Sequence, residues 1–194
     1  MKLIVAIALV MSFSTTTFAT GQQADKLFWK GKEYDLYSNP LEAFYPDETK
    51  RPHFMVGPMR IVTSNWRGYV ASWTIENNAL YLTGIESWFC TGSTKKSCRK
   101  VTLNHIFGKR VKQGRVLADW FSWDLRVPDG KELQYVHMGY GSIYERDFIF
   151  EVAAGRVTKQ TVIDNTQRAL PSELELQRQE LEKMKPKGKE TPRP

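Results

Sequence analysis

At the centre of this chain lies the stretch WRGYVASWTIENNALYLTGI, residues 66–85, which has the pattern of two β-strands joined by a tight turn. Apolar residues recur at every second position on both sides of the turn, as in half-buried strands. They are Tyr69, Ala71, Trp73 and Ile75 before the turn, and Leu80 and Leu82 after it. Asn77 and Asn78 form the turn, and asparagine tolerates the positive φ that a two-residue hairpin demands. The stretch therefore predicts the central hairpin of a mostly antiparallel β domain.

The segments on either side extend this pattern. They predict a hairpin over residues 27–37 that turns at Lys30-Gly31-Lys32, a bent edge strand over 55–63, and strands over 101–107, 116–127, 133–138, 143–152 and 157–163. The strand 116–127 is apolar on both faces, which favours a central position, and a turn is predicted at 128–131. In the strand 143–152 we expect Asp147 to point outward.

About eight to ten short strands predict a mostly β fold, an antiparallel β-sandwich or a barrel-like single domain, over residues 20–165. The sequence does not choose between these two forms. Residues 166–194 predict a short amphipathic C-terminal helix and a disordered tail. The helix begins with the capping box Ser172-Glu-Leu-Glu175, and the tail from Pro186 is rich in proline and lysine.

The first 19 residues predict a secretory signal peptide. Lys2 is followed by an apolar run, and Thr17-Phe18-Ala19 has small residues where a signal peptidase cuts. The apolar run is too short for a membrane span, which needs about 20 residues. We therefore expect an exported protein, periplasmic or extracellular, without an integral membrane anchor.

Two cysteines, Cys90 and Cys98, bracket a polar, lysine-containing loop. In an exported chain, two cysteines so close in sequence predict a structural disulfide bond. A zinc site would need two further ligands, and no His or Cys lies at a suitable spacing, so no metal and no cofactor are expected. The disulfide should pin a long, basic excursion of the chain.

The net charge of +7 permits an anionic partner. The basic residues are scattered along the sequence, however, and this is more typical of a solvated, mildly basic surface than of a dedicated anion site. No nucleic-acid partner is predicted.

Few residues suggest catalysis. Asp119 and Asp124 flank two tryptophans, as the carboxylates of a sugar-cleaving site do, but on a regular strand they point to opposite faces. Asp119 is more simply explained by an ion pair with an Arg or Lys. His137 is a lone histidine, and residues 139–142 lack the order of a nucleophile elbow or of a phosphate loop.

The strongest functional candidates are aromatic residues near strand ends and turns, where such side chains stack on sugars or anchor a protein partner. They are Trp66, Trp120, Trp123, Tyr135 and Tyr140. The sequence favours binding over catalysis, with a partner protein of the envelope or extracellular space and an inhibitor, immunity-type or accessory role. An envelope glycan bound by stacked Trp and Tyr is the alternative, and a hydrolase is the third.

Overall fold

The computed structural model describes residues 21–170 apart from Met59, Ile61, Ser93, His137 and Met138, and beyond them Ser172, Leu174, Glu175 and Arg178. The predicted signal peptide and most of the C-terminal tail lie outside this part of the chain. Within the described part no helix is long and apolar enough to cross a membrane.

The fold is mostly β, as predicted. The strands are β1 (Asp25–Trp29), β2 (Lys32–Leu36), β3 (Val70–Glu76), β4 (Ala79–Glu86), β5 (Trp88–Cys90), β6 (Cys98–Lys100), β7 (Val116–Leu117), β8 (Asp124–Gln134), β9 (Ile143–Ala153) and β10 (Arg156–Asp164). The short α-helix α1 (Leu103–Phe107) and 3-10 turns at Glu42–Phe44, Glu48–Lys50, Lys95–Ser97 and Gly108–Arg110 connect them. Of the residues described after 170, Leu174, Glu175 and Arg178 are helical, as the predicted C-terminal helix requires.

The main sheet has the strand order β2-β1-β3-β4-β10-β9-β8, and β7 also pairs with β4. Its neighbours run antiparallel except β1 and β3, which are parallel. Strands β5 and β6 form a separate two-stranded sheet. The central hairpin β3–β4 is confirmed, because Asn77 and Asn78 form its turn with φ of 50° and 55°.

The main sheet curls until its two end strands meet. The backbone N–H of Tyr37, just after β2, donates to the carbonyl oxygen of Arg126 in β8 at 2.8 Å. Lys32 of β2 also pairs with Asp129 of β8 at 3.0 Å. The domain is therefore barrel-like, and Leu27, Trp73, Leu82, Leu125 and Phe150 are buried in its core.

A buried ion pair fixes the start of the barrel. Asp25 is fully buried and accepts hydrogen bonds from the Arg67 guanidinium (2.9 Å), the Ala71 N–H (3.1 Å) and the Trp73 indole (3.0 Å). These bonds tie β1 to β3 and to the segment that leads into it. A buried charge of this kind is tolerated because its oxygens are saturated with donors.

The strand predicted at 101–107 is wrong, because this segment contains α1. Leu103, Ile106 and Phe107 have the i, i+3, i+4 spacing of a helix face, and all three pack against the core. The strand predicted at 55–63 is also wrong. The described residues of this segment, which exclude Met59 and Ile61, form isolated bridges and no strand, among them Met55 with Trp88.

The long strand predicted at 116–127 is broken. β7 ends at Leu117, and the chain turns where the Phe121 N–H donates to the Ala118 carbonyl at 2.9 Å. The strand resumes as β8 at Asp124. Residues 116–127 therefore carry apolar side chains on both faces of the predicted strand because the chain turns within the core, and not because one strand is covered on both sides.

Two smaller expectations also fail. The turn predicted at 128–131 lies inside β8, where Gly130 has a φ of +86° and the pairing with β9 shifts between Asp129 and Glu132, so the Pro-Asp-Gly signal marks a bulge. Asp147 is buried and not outward, because Arg126 donates to it at 2.9 Å. The predicted capping box is present: the Ser172 N–H donates to the Glu175 carboxylate at 2.8 Å, and the Glu175 N–H donates to Ser172 Oγ at 3.3 Å.

Candidate functional site

Two grooves flank the segment 45–53, which crosses the surface between the first hairpin and the central one. The hairpin groove, about 480 Å³, is lined by Phe44, Tyr45, Lys50, Pro52, His53, Phe89, Cys90, Thr91, Arg99, His105 and Ile106. The Trp66 groove, about 380 Å³, is lined by Glu42, Tyr45, Glu48, Arg51, Pro52, His53 and Trp66. Because Tyr45, Pro52 and His53 line both grooves, the two lie side by side. Their volumes fall in the range of about 300–1,000 Å³ that is common for ligand pockets.

The segment between the grooves is anchored by an ion pair. Arg51 donates to the carboxylate of Glu42 through Nε and Nη2, each at 3.0 Å, and to the carbonyl oxygen of Arg67 at 2.7 Å. The hydroxyl of Tyr69, on a buried ring at the start of the central hairpin, donates to the same Glu42 carboxylate at 2.7 Å. A bidentate arginine–carboxylate pair is geometrically restrictive, so the segment is held against the domain.

Gly68 makes room for the end of this segment. It has a φ of +78°, and a Cβ placed on it would lie 2.0 Å from the carbonyl oxygen of Phe54. Beside it, Ser87 Oγ donates to the carbonyl oxygen of Gly68 at 2.8 Å and accepts from the Met55 N–H at 3.2 Å. Backbone therefore packs directly on backbone here, which only glycine allows.

The disulfide forms one wall of the hairpin groove. Cys90 in β5 and Cys98 in β6 are bonded at 2.02 Å, which confirms the predicted pairing. The β5–β6 hairpin is joined to the segment after the grooves by Met55 and Trp88, whose backbones exchange hydrogen bonds of 3.1 and 2.8 Å. The disulfide hairpin is thereby positioned against the segment 45–53.

The floor of the hairpin groove is apolar and packs on a layer of aromatic rings. Phe44, which lines the groove, packs against Phe107 and Trp120 with ring centroids 4.8 and 4.9 Å apart. Trp120 is partly buried, and its indole N–H donates to the carbonyl oxygen of Pro40 at 2.9 Å. Trp120 thus supports the groove from below.

The rim of the hairpin groove is basic. Lys50 and Arg99 line it, together with His53 and His105, while no Asp or Glu of the described residues does. The Trp66 groove is mixed, with Glu42 and Glu48 opposite Arg51. The hairpin groove therefore has an apolar floor with cationic edges, and the Trp66 groove has an exposed indole with polar neighbours.

Tyr45 lies between the two grooves with an unsatisfied hydroxyl. This oxygen is withdrawn from solvent, and among the described residues it has no hydrogen-bond partner. Burial raises the pKa of Tyr45 to about 12, so the hydroxyl is protonated at neutral pH and can donate. Buried polar groups are nearly always paired, so this hydroxyl is an exception.

The five aromatic candidates from the sequence occupy different environments. Trp66, Trp123 and Tyr135 are 65, 69 and 56% exposed, and Trp66 lines a groove. Tyr140 is partly buried: its ring stacks on Tyr37 at 4.8 Å and its hydroxyl donates to the Asn39 side chain at 2.9 Å. The rings of Trp120, Trp123 and Tyr140 pack against different neighbours, which are Phe44, Phe121 and Tyr37 respectively.

Asp119 and His137 are among the residues that the sequence suggested for catalysis. Asp119 pairs with Arg110, in line with the ion pair expected for it. His137 lies outside the described residues. In the described part of the chain, no group of three or more His, Cys, Asp or Glu is placed to hold a metal ion.

Sequence reasoning missed Tyr45, His53, Phe89, Arg99 and His105, which line the grooves. They come from four separate stretches of the chain that only the fold brings together, and none belongs to a recognisable motif. The one available signal was the disulfide, which places Phe89 and Arg99 next to its two cysteines.

No protein-family model, no curated protein and no solved structure matches this chain.

Proposed function

We propose that this protein acts by binding, and that it holds a segment of another protein of the envelope or extracellular space across the two grooves. The role would be that of an inhibitor, an immunity-type protein or an accessory subunit. The observation that carries the proposal is the pair of adjoining grooves, which places an apolar floor with basic edges beside the exposed indole of Trp66.

The chemistry of the grooves supports a peptide segment. An apolar side chain fits the floor formed by Phe44, Phe89 and Ile106, and carboxylates on either side of it would meet Lys50 and Arg99. Exposed tryptophans are among the commonest energetic anchors of protein interfaces. Trp66 would provide such an anchor in the neighbouring groove.

The disulfide supports an oxidising compartment, since such bonds persist outside the reducing cytosol. Export through the predicted signal peptide, residues 1–19, is part of the same proposal. The partner would then be met in the periplasm or outside the cell.

A glycan is the second candidate, and one observation favours it. In the Trp66 groove an exposed indole lies beside Glu42, Glu48 and Arg51, a combination in which the ring can stack on a sugar face and the polar groups can bond its hydroxyls. The hairpin groove fits a sugar less well, because no carboxylate of the described residues lines it to accept from sugar hydroxyls.

The test is affinity capture from envelope and secreted fractions, with mass spectrometry and sugar analysis of what elutes. The captured protein is then purified, and its dissociation constant is measured by calorimetry. Trp66→Ala should weaken binding by about 30-fold or more, as loss of a central anchor does. Trp123→Ala is the matched control, because that indole is equally exposed but lines neither groove.

A third variant, Tyr45→Phe, removes only a hydroxyl that is withdrawn from solvent and should leave binding unchanged. Equal loss in the Trp66 and Trp123 variants, or none in either, would overturn the assignment of the grooves. If glycan is captured without protein, and the capture is lost in the Trp66→Ala variant, the partner is a sugar and not a protein.

A further inference from the structure

Most of strand β10 lies at a free edge of the sheet. Residues 159–164 pair with β9 on one side, whereas on the other side the pairing with β4 is limited to Arg156 opposite Ala79, beside which the Val157 N–H donates to the Asn78 carbonyl oxygen at 2.9 Å. Beyond Val157, no strand in the described part of the chain pairs with the second side of β10. The β4 strand pairs instead with β7.

The backbone groups at this edge can be assigned. The Asn165 N–H donates to the Glu145 carbonyl at 2.9 Å, so residue 165 points its backbone groups toward β9. Because these groups alternate along an antiparallel strand, those of Gln160, Val162 and Asp164 point to the free edge. The edge therefore presents a row of N–H and C=O groups ready for another strand.

This edge lacks the usual protection. Charged residues, prolines and bulges normally blunt exposed edges. The bulge that β10 contains lies between Val157 and Lys159, before this segment. Residues 159–164 are regular and contain no proline, and Lys159 is held by Glu151 of its own sheet at 2.7 Å. Val162 and Ile163 are 51 and 44% exposed, although both are apolar.

We propose that a second copy of this chain pairs antiparallel with β10 and joins the two sheets into one. With Val162 of one copy opposite Val162 of the other, Thr161 faces Ile163 and Gln160 faces Asp164. The central pairs are then all β-branched, which favours strand pairing, and the glutamine amide can donate to the aspartate. The contact is the same from both sides, as a two-fold dimer requires.

The charge near the edge allows two copies to meet. The chain carries a net charge of +7, but β9 and β10 together hold four acidic and three basic residues, one negative charge in excess. The positive excess lies elsewhere, so like-charge repulsion does not oppose this contact.

The test is the molar mass of the full protein by light scattering and sedimentation, from micromolar to near-millimolar concentration. The mass should rise toward twice that of the monomer. Val162→Pro removes an edge-facing N–H without removing a bond to β9, and Val162→Lys adds a charge to the edge; both should stay monomeric. Thermal unfolding shows whether each variant is folded.

The matched control is Phe28→Lys. Phe28 is also about half exposed, but its strand β1 is already paired on both sides, so this variant should dimerise like the parent. A parent protein that is monomeric at every concentration would overturn the proposal. So would a folded Val162→Lys protein that still dimerises, since another surface would then be responsible.

Discussion

At the scale of single residues, Gly68 has the least room for a side chain among the described glycines. A Cβ there would meet the Phe54 carbonyl oxygen at 2.0 Å in a backbone with a φ of +78°. We expect Gly68→Ala to lower the free energy of unfolding by about 3 kcal/mol or more, because strain and a backbone clash add. Urea denaturation measures the change.

The control for this variant is Gly114→Ala. Gly114 has a similar φ of +75°, but a Cβ there would have no neighbour within 4 Å. This substitution should cost only about 1–2 kcal/mol, the price of the left-handed conformation. If both variants lose the same free energy of unfolding, the close approach of the Phe54 carbonyl oxygen does not contribute to the loss.

The buried ion pair makes a second residue-scale prediction. Asp25→Asn leaves the buried Arg67 without its counter-charge, and we expect a loss of about 3–5 kcal/mol in urea denaturation. Asp35→Asn breaks a solvent-exposed pair with Lys26 and should cost about 0.5 kcal/mol or less. If both variants lose the same stability, the Asp25 network does not hold β1 in place.

At the scale of elements, Asp129 helps to close the barrel. It accepts from Lys32 of β2 (3.0 Å) and from Arg146 of β9 (2.8 Å), and these two cations hold the pKa of its carboxyl below the usual 3.8. A lowered pKa in the folded state means that the carboxylate stabilises the fold above pH 3.8, and that this contribution is lost as the pH falls below that value.

We therefore expect Asp129→Asn to be less stable than the parent at neutral pH by about 1 kcal/mol at most, since both cations are half exposed. The difference should shrink as the pH falls below 3.8. Urea denaturation at a series of pH values follows it. A difference that stays constant down to strongly acidic pH would show that the amide disturbs packing and that the charge has no role.

The same scale shows what the sequence can predict. The hairpin 66–85 was predictable because alternation, turn chemistry and length agree locally. The break at Ala118–Trp123 was not, because it depends on Gly155, whose Cβ would lie 2.7 Å from the Ala118 backbone, some 37 positions away. The Pro-Asp-Gly bulge in β8 was misread for a related reason, since turn residues and bulge residues are the same and only the pairing with β9 separates them.

The candidate site was predictable only in part. Cys90 and Cys98 predicted the disulfide that forms one wall of the hairpin groove, and Trp66 was recognised as an aromatic candidate. The floor and rim depend on Phe44, His53 and His105, whose meeting is a property of the closed fold and leaves no local pattern. Exposure of an aromatic side chain is equally non-local, which is why Trp120 and Trp123 look alike in the sequence but only Trp123 is strongly exposed.

At the scale of the whole molecule, the positive charge is unevenly placed. Lys95, Lys96, Arg99 and Lys100 lie in the disulfide hairpin, and Lys109, Arg110 and Lys112 follow α1, whose His105 and Ile106 line the same groove. The β9–β10 side is nearly neutral. These are the two regions in which we propose, respectively, an acidic partner segment and a second copy of the chain.

This division predicts different responses to salt at the two surfaces. Exposed charges are screened over about 10 Å at 0.1 M ionic strength, so the association rate of the groove partner should fall about tenfold or more between low and high salt. Pairing through β10 relies on backbone hydrogen bonds and β-branched contacts, and its dimerisation constant should change little. Over the same salt series, stopped-flow kinetics measures the association rate of the groove partner, and sedimentation measures the dimerisation constant. Arg99→Glu should slow association of the groove partner without changing the dimerisation constant. A groove partner whose association is independent of salt would remove the electrostatic part of the proposal, and a dimer that dissociates in salt would point to a charged interface in place of β10.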